Sequence, residues 1–326
     1  MSPTRRSFLQ ASITGLAALP ASTIAQPSPP KSKEKYVDVN GIRTRYFEAG
    51  SGENHVVLVQ GGSIASIAYT ADMWDLNMEG LGQHAHVWAP DKLGCGYTDN
   101  PRNDEDYTMK AQTQHVYDFM RSVGIKKACL VGLSRGALPV ARIAVDHPEI
   151  TQSLIILDSR TLAPTDPEIG SKTNPFYTRL TANPPPVPTA EYVRREPDAN
   201  SYFRSHITPE YVQRLLKSAL LPKSADARNK MKYLGDQYRN DSARMKAETY
   251  DMISAGKLKA PTLILWAYND PSAPLSLGLQ LMDIIAPAHP QTQMHILNQA
   301  AHYMCRDQVD KFNRIVISFM KNSLKS

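Results

Sequence analysis

Cysteine is scarce in this chain. Only Cys95, Cys129 and Cys305 occur, an odd number whose spacing fits neither a zinc site nor a disulfide framework, so stability has to come mainly from an apolar core. Runs of like charge are also missing. The net charge of +6 is spread along the sequence with no block of five or more, which argues against a nucleic-acid or other polyanion partner. No apolar stretch is long enough for a permanent membrane span. The 326 residues are 42% hydrophobic and 21% charged, the makeup of a globular protein and not of a disordered or fibrous one.

The first 25 residues differ from the rest. Arg5-Arg6 is followed by Ser7, Phe8 and Leu9, then by a modest apolar stretch that ends in small residues at Ala25. This order resembles a twin-arginine export signal, which implies the export machinery as a partner and a periplasmic mature protein.

From Lys31 the apolar pattern alternates between short β-rich runs and longer helical ones, predicting an α/β fold with a mostly parallel sheet flanked by helices. KYVDVNG and IRTRYFEAG read as an antiparallel opening pair turning at Asn40-Gly41. HVVLVQGG, HVWAPD, KACLVGLS and SLIILDS read as buried strands, with helices over residues 108–123 and in RGALPVARIAVDHPE. The alternation stops near Arg160 and returns near Ala260 with APTLILWAYND, SLGLQLMDIIA, TQMHILNQ and QVDKFNRIVISFM. Between them lie helical runs such as TPEYVQRLLKSAL and the proline-rich PPPVP, but no strand pattern. Residues 31–159 and 260–326 are therefore expected to form one core, and residues 160–259 a helical cap inserted into it.

Gly132-Leu133-Ser134-Arg135-Gly136 is a G-x-S-x-G string that follows a strand and opens a helix, the context in which a sharp turn exposes a nucleophilic serine. Serine needs a base to activate it. Of nine histidines, His302 lies downstream of Ser134, after a strand and before the last helix. The acid should follow a strand between the two, and Asp270, after LILWAYN, is preferred to Asp158, after SLIIL. Gly61-Gly62-Ser63 follows a strand and lets the backbone approach a ligand, so the N–H groups of Gly62 and Arg135 are expected to form an oxyanion hole. The Arg135 side chain either binds an acidic substrate group or pairs with a carboxylate of the fold. No ligand cluster predicts a metal or an organic cofactor.

With QGGS, DKLGCGYTD, GLSRG, YND and AAHY in this order, residues 35–322 resemble the α/β-hydrolase superfamily with a helical cap. The tail HYMCRDQVDKFNRIVISFM and the stretch SYFRSHITPEYVQRLLKSAL resemble its meta-cleavage-product hydrolases, which cut a carbon–carbon bond in ring-opened aromatics. Leu133, Tyr303 and Gln60 depart from that subfamily's asparagine, tryptophan and histidine. The departures favour a small-molecule carboxylic ester as substrate, with carbon–carbon cleavage as the alternative and a non-catalytic binding protein as the remote one. The resemblance implies acyl transfer through Ser134, His302 and Asp270.

Overall fold

The structure is a computed structural model that describes residues 32–324; the expected export signal lies outside the described residues. The chain opens with β1 (Lys33–Val39) and β2 (Ile42–Ala49), paired antiparallel. Their turn places Asn40 and Gly41 at φ 54° and 82°, the left-handed pair that a two-residue hairpin requires. Six further strands follow: β3 (His55–Val59), β4 (His86–Pro90), β5 (Ala128–Leu133), β6 (Thr151–Leu157), β7 (Thr262–Ala267) and β8 (Thr292–Leu297). The sheet order is β1-β2-β4-β3-β5-β6-β7-β8, parallel from β4 to β8.

Alternate residues of the central strands face opposite ways, as the two-residue strand period demands. Val57, Leu130, Ile156 and Ile264 pack with α2 (Met109–Ser122), α3 (Ala137–Asp146) and α8 (Leu275–Ala288). Val56, Cys129, Ile155 and Leu263 pack with α1 (Asp75–Gly82) and α10 (Val309–Ser323) on the other face. Both faces are covered, so every residue of β5 and β7 is buried. The three cysteines are buried free thiols.

Between β6 and β7 the described residues form helices only: α4 (Pro167–Leu180), α5 (Ala190–Asn200), α6 (Pro209–Ala219) and α7 (Pro222–Ser254). α5 and α6 share a small apolar cluster around Val193, Tyr211 and Leu215. Two helices were not visible as such in the sequence. α1 contains Gly80 and Gly82 and buries Asn77, which blurs its apolar stripe. α7 runs for 33 residues, yet its buried side includes Ser224, Gly235, Asp241 and Thr249, so hydrophobic periodicity is weak even though the spacing is helical.

The strand order positions the site. After β3 the chain moves to β4 on one side and later to β5 on the other, so a crevice opens where these connections part, at the carboxyl ends of β3 and β5.

Candidate active site

Ser134 leaves β5 at φ 54°, a left-handed conformation that a non-glycine residue rarely adopts. Its neighbours explain how the turn is held. A Cβ on Gly132 would lie 2.5 Å from the Gly136 carbonyl oxygen, and one on Gly136 would lie 2.4 Å from that of Val59, so both positions exclude any side chain. Ser159 Oγ donates to the Ser134 carbonyl at 2.6 Å and accepts from Leu162 N at 3.0 Å, tying the turn to the loop after β6.

His302 lies on the turn between β8 and the short helix α9 (Met304–Asp307), almost fully buried. Its Nδ1 is 2.6 Å from Asp270 Oδ2. The other oxygen of Asp270 accepts from Ser272 N at 2.7 Å, Ser272 Oγ at 3.0 Å and Ala273 N at 2.8 Å, so the carboxylate is oriented from behind. The edge of His302 meets the Tyr69 ring at 88°, with centroids 6.4 Å apart. Ser134 Oγ makes no hydrogen bond to His302 here; such bonds are often long before a substrate binds. The competing histidines have other partners: His115 bonds Thr44, His86 bonds Glu48, His289 bonds Ala260 and His147 stacks on Tyr117.

Asp158, the rival acid, makes no hydrogen bond or ion pair with a histidine among the described residues. Its Oδ1 accepts from Ala267 N at 2.8 Å.

Gly62 sits at φ 70°, and a Cβ there would come within 2.7 Å of Ser66 and 2.8 Å of Tyr69. Its carbonyl accepts from the Lys92 ammonium at 2.7 Å, and Cys95 Sγ lies 3.4 Å from the next carbonyl, that of Ser63. Lys92 is fully buried, and burial, with the Arg135 charge, brings its pKa down to about 8. The segment after β4 is thus the support of the loop after β3. Sequence reasoning quoted this segment as a motif but did not see that its lysine holds Gly62.

Gly62, Ser134, Arg135 and Tyr69 line a cavity of about 1170 Å³ closed on its other side by α4, α5 and α7. Arg135 is exposed to it and has no hydrogen bond or ion pair among the described residues, so the expected pairing with a fold carboxylate is not found. Arg160, Arg228 and Lys246 also face the cavity without a carboxylate partner: they bond Asn174 Oδ1, Ala219 O, and Ala163 O with Thr165 Oγ1, respectively. Burial and the Arg160 charge lower the Lys246 pKa. Two carboxylates share the wall. Asp166 is occupied as the cap of α4. Burial raises the pKa of Glu196 on α5, against the pull of His302, Arg135 and Tyr69. No sequence signal marked Glu196 or the three cations, because their convergence depends on how the helices between β6 and β7 pack.

The profile of the alpha/beta hydrolase fold family matches residues 54–307. This chain belongs to that family. Among curated relatives, this alpha/beta hydrolase is 24% identical to the 2-hydroxy-6-oxo-6-(2'-aminophenyl)hexa-2,4-dienoic acid hydrolase of Metapseudomonas resinovorans, over 92% of this chain and 95% of that one. It is 25% identical to the 2-hydroxymuconate semialdehyde hydrolase of Pseudomonas sp. (strain CF600), over 86% and 91%. A meta-cleavage product hydrolase from Pseudomonas fluorescens superposes on this hydrolase with a TM-score of 0.71 at 23% identity, covering 89% and 98% of the two chains.

These relatives correct the expectation of a carboxylic ester hydrolase. The structure shows why the three departures misled. Leu133 is wholly buried in the apolar layer under the turn. Tyr303 is equally buried, its hydroxyl 3.4 Å from the Ala68 carbonyl. Gln60, its amide oriented to satisfy both neighbours, bridges Pro90 O and Lys92 N at 2.9 Å each. None of the three lines the cavity, so none reports on which bond is cut.

Proposed function

We propose that this alpha/beta hydrolase cleaves a carbon–carbon bond in a ring-opened 2-hydroxy-6-oxo-dienoate type of acid. The observation that carries the reading is the unpaired Arg135 guanidinium beside Ser134, in a cavity where Arg160, Arg228 and Lys246 also lack acid partners. Cations that line a cavity without an ion-pair partner favour a carboxylate-bearing substrate. The names of the relatives point the same way.

In this reading Ser134 is the nucleophile. His302 takes its proton as it attacks the ketone carbon, Asp270 stabilises the imidazolium, and the N–H groups of Gly62 and Arg135 hold the oxyanion. Breaking the carbon–carbon bond leaves its electron pair on the departing carbon, which is tolerable only if the dienol has first become a ketone able to accept that pair as an enolate. Gaining a proton on carbon requires an acid in the cavity. Glu196, kept protonated more readily by burial, supplies it and recovers a proton when the enol oxygen loses one. His302 then protonates the leaving fragment, and water, activated by the same residue, releases the acyl group from Ser134.

The test is a comparison of 2-hydroxy-6-oxo-6-phenylhexa-2,4-dienoate with a neutral aryl ester on one preparation, with Ser134→Ala as blank. A kcat/KM at least about tenfold higher for the dienoate, roughly 1.4 kcal/mol, is expected. Equal or better turnover of the ester overturns the reading. Export through residues 1–25 remains our proposal as well, supported by Arg5-Arg6 ahead of an apolar stretch. Changing both arginines to lysine should trap the precursor in the cytoplasm, and unchanged export and processing would refute it.

A further inference from the structure

Behind His302 the sheet presents two carboxyl groups where the histidine needs one. Asp270 follows β7 and Asp158 follows β6, its parallel neighbour. An oxygen of each and a ring nitrogen of His302 lie within 4.8 Å of one another. Their surroundings differ. Among the described residues Asp270 accepts three donors on one oxygen, while the other oxygen meets only His302. Asp158 is wholly buried, sits at φ 40°, receives a single hydrogen bond from Ala267 N, and its second oxygen has no partner. The charged and titratable groups around it are Asp270, Asp307, Cys305 and His302. Only His302 among them can become a cation, and Asp270 already holds it.

An ionised carboxylate with an empty lone pair, no cation of its own and another carboxylate beside it is strongly disfavoured in a dry interior. A metal ion does not fit between these groups. His302 Nδ1 and Asp270 Oδ2 are 2.6 Å apart, closer than the roughly 3.3 Å that separates ligands about 2.0 Å from a tetrahedral ion.

We propose that Asp158 is the protonated member of an acid–carboxylate pair with Asp270, so that the two groups together set a single negative charge against His302. Asp158 is a positioning residue: it acts through Asp270, softening the negative charge that Asp270 presents and keeping the imidazole from becoming too basic. Burial and the neighbouring Asp270 charge push the Asp158 carboxyl well above the usual carboxylate range, in the direction the pair requires. If Asp270 loses its charge, Asp158 is freed to ionise and to face His302 in its place.

The inference rests on the triad in the proposed function but not on which bond is cut, so the readout is the rate at which a fluorophosphonate labels Ser134 as a function of pH. In Asp158→Val the proton donor is gone, and the acid limb of the profile is expected to move up by about half a unit or more, since the unsoftened Asp270 raises the basicity of His302. Asp158→Asn keeps an acceptor for Ala267 N and a neutral donor, and should restore the parental limb. If Asp158 were ionised, both variants would remove a negative charge and move the limb down; that outcome overturns the pair. In Asp270→Asn, slow labelling that rises with pH and falls at least tenfold further in the double variant Asp158→Asn/Asp270→Asn is expected. Equal rates in the single and double variants count against the proposal. Infrared spectroscopy on the full chain serves where a variant labels poorly or is unstable: a protonated-carboxyl C=O band present at pH 7 and lost in Asp158→Asn supports the pair, and its absence from the parent refutes it. A parent that is never labelled would instead refute the triad.

Discussion

The layer beneath Ser134 and the wall above it treat polar groups in opposite ways. Beneath, Asp270 accepts three hydrogen bonds besides that of His302, Lys92 is spent on Gly62, and Ser159 on the Ser134 carbonyl. Above, among the described residues Arg135 has no hydrogen bond or ion pair, and Arg160, Arg228 and Lys246 bond only neutral groups. A buried group without its partner costs about 1 to 3 kcal/mol, more if charged, so the lower layer tolerates little change. Cations that face an open cavity can be solvated until a ligand takes the place of solvent. The contrast assigns chemistry to the lower layer and substrate choice to the wall.

The strongest attempt to break this division is Ser134→Ala, expected to lower kcat by about 10⁴-fold or more while leaving the far-ultraviolet spectrum and the melting transition in place. Retained turnover would remove the lower layer from the chemistry. Next in size is Arg306→Ala. This buried arginine bonds Asp75, the Met73 carbonyl at 3.0 Å and the His206 carbonyl at 3.1 Å, and its guanidinium lies 3.9 Å from the Tyr211 ring centre, joining the core to α6. Asp75 keeps Arg214, but leaving the two buried carbonyls unpaired should cost about 1 to 3 kcal/mol for each in urea unfolding. A loss below about 1 kcal/mol would mean that other contacts hold the helices in place.

Arg135→Gln sharpens the comparison from the other side. We expect a loss of about 10- to 100-fold in kcat/KM for the dienoate, mostly through KM, with little change for a neutral ester. A loss that falls on both substrates alike would make Arg135 part of the lower layer. Smallest is Lys246→Met, expected to cost a few-fold in kcat/KM, on the order of 1 kcal/mol or less, and to do so less as salt is raised. An effect independent of ionic strength would show that its bonds to Ala163 and Thr165 matter more than its charge.

Most of the fold was legible because strong signals were local. The Asn40-Gly41 turn, the buried run of β5 and the helix over residues 108–123 each depend on neighbouring residues. α7 was obscured because its inner face mixes small and polar residues with Tyr238, Met245 and Ile253. At the site, Ser134, His302 and Asp270 could be named from the G-x-S-x-G string and from the order of residues at strand ends, and the structure does place His302 against Asp270. The expectation of an ester rested on Leu133, Tyr303 and Gln60 departing from the subfamily's residues, and adjacency in sequence to a nucleophile or base does not say which way a side chain points.

By itself, the sequence determined the alternation of strands and helices, the insertion between β6 and β7, and the candidate nucleophile, base and acid, since each follows from periodicity or from a residue's place at a strand end. Only the tertiary structure decided that Lys92 supports Gly62, that Glu196 shares one cavity with Arg135, Arg160, Arg228 and Lys246, and that Asp158 stands beside Asp270. These groups lie far apart along the chain. Their charges acquire meaning through burial and distance, which exist only once the helices have packed against the sheet.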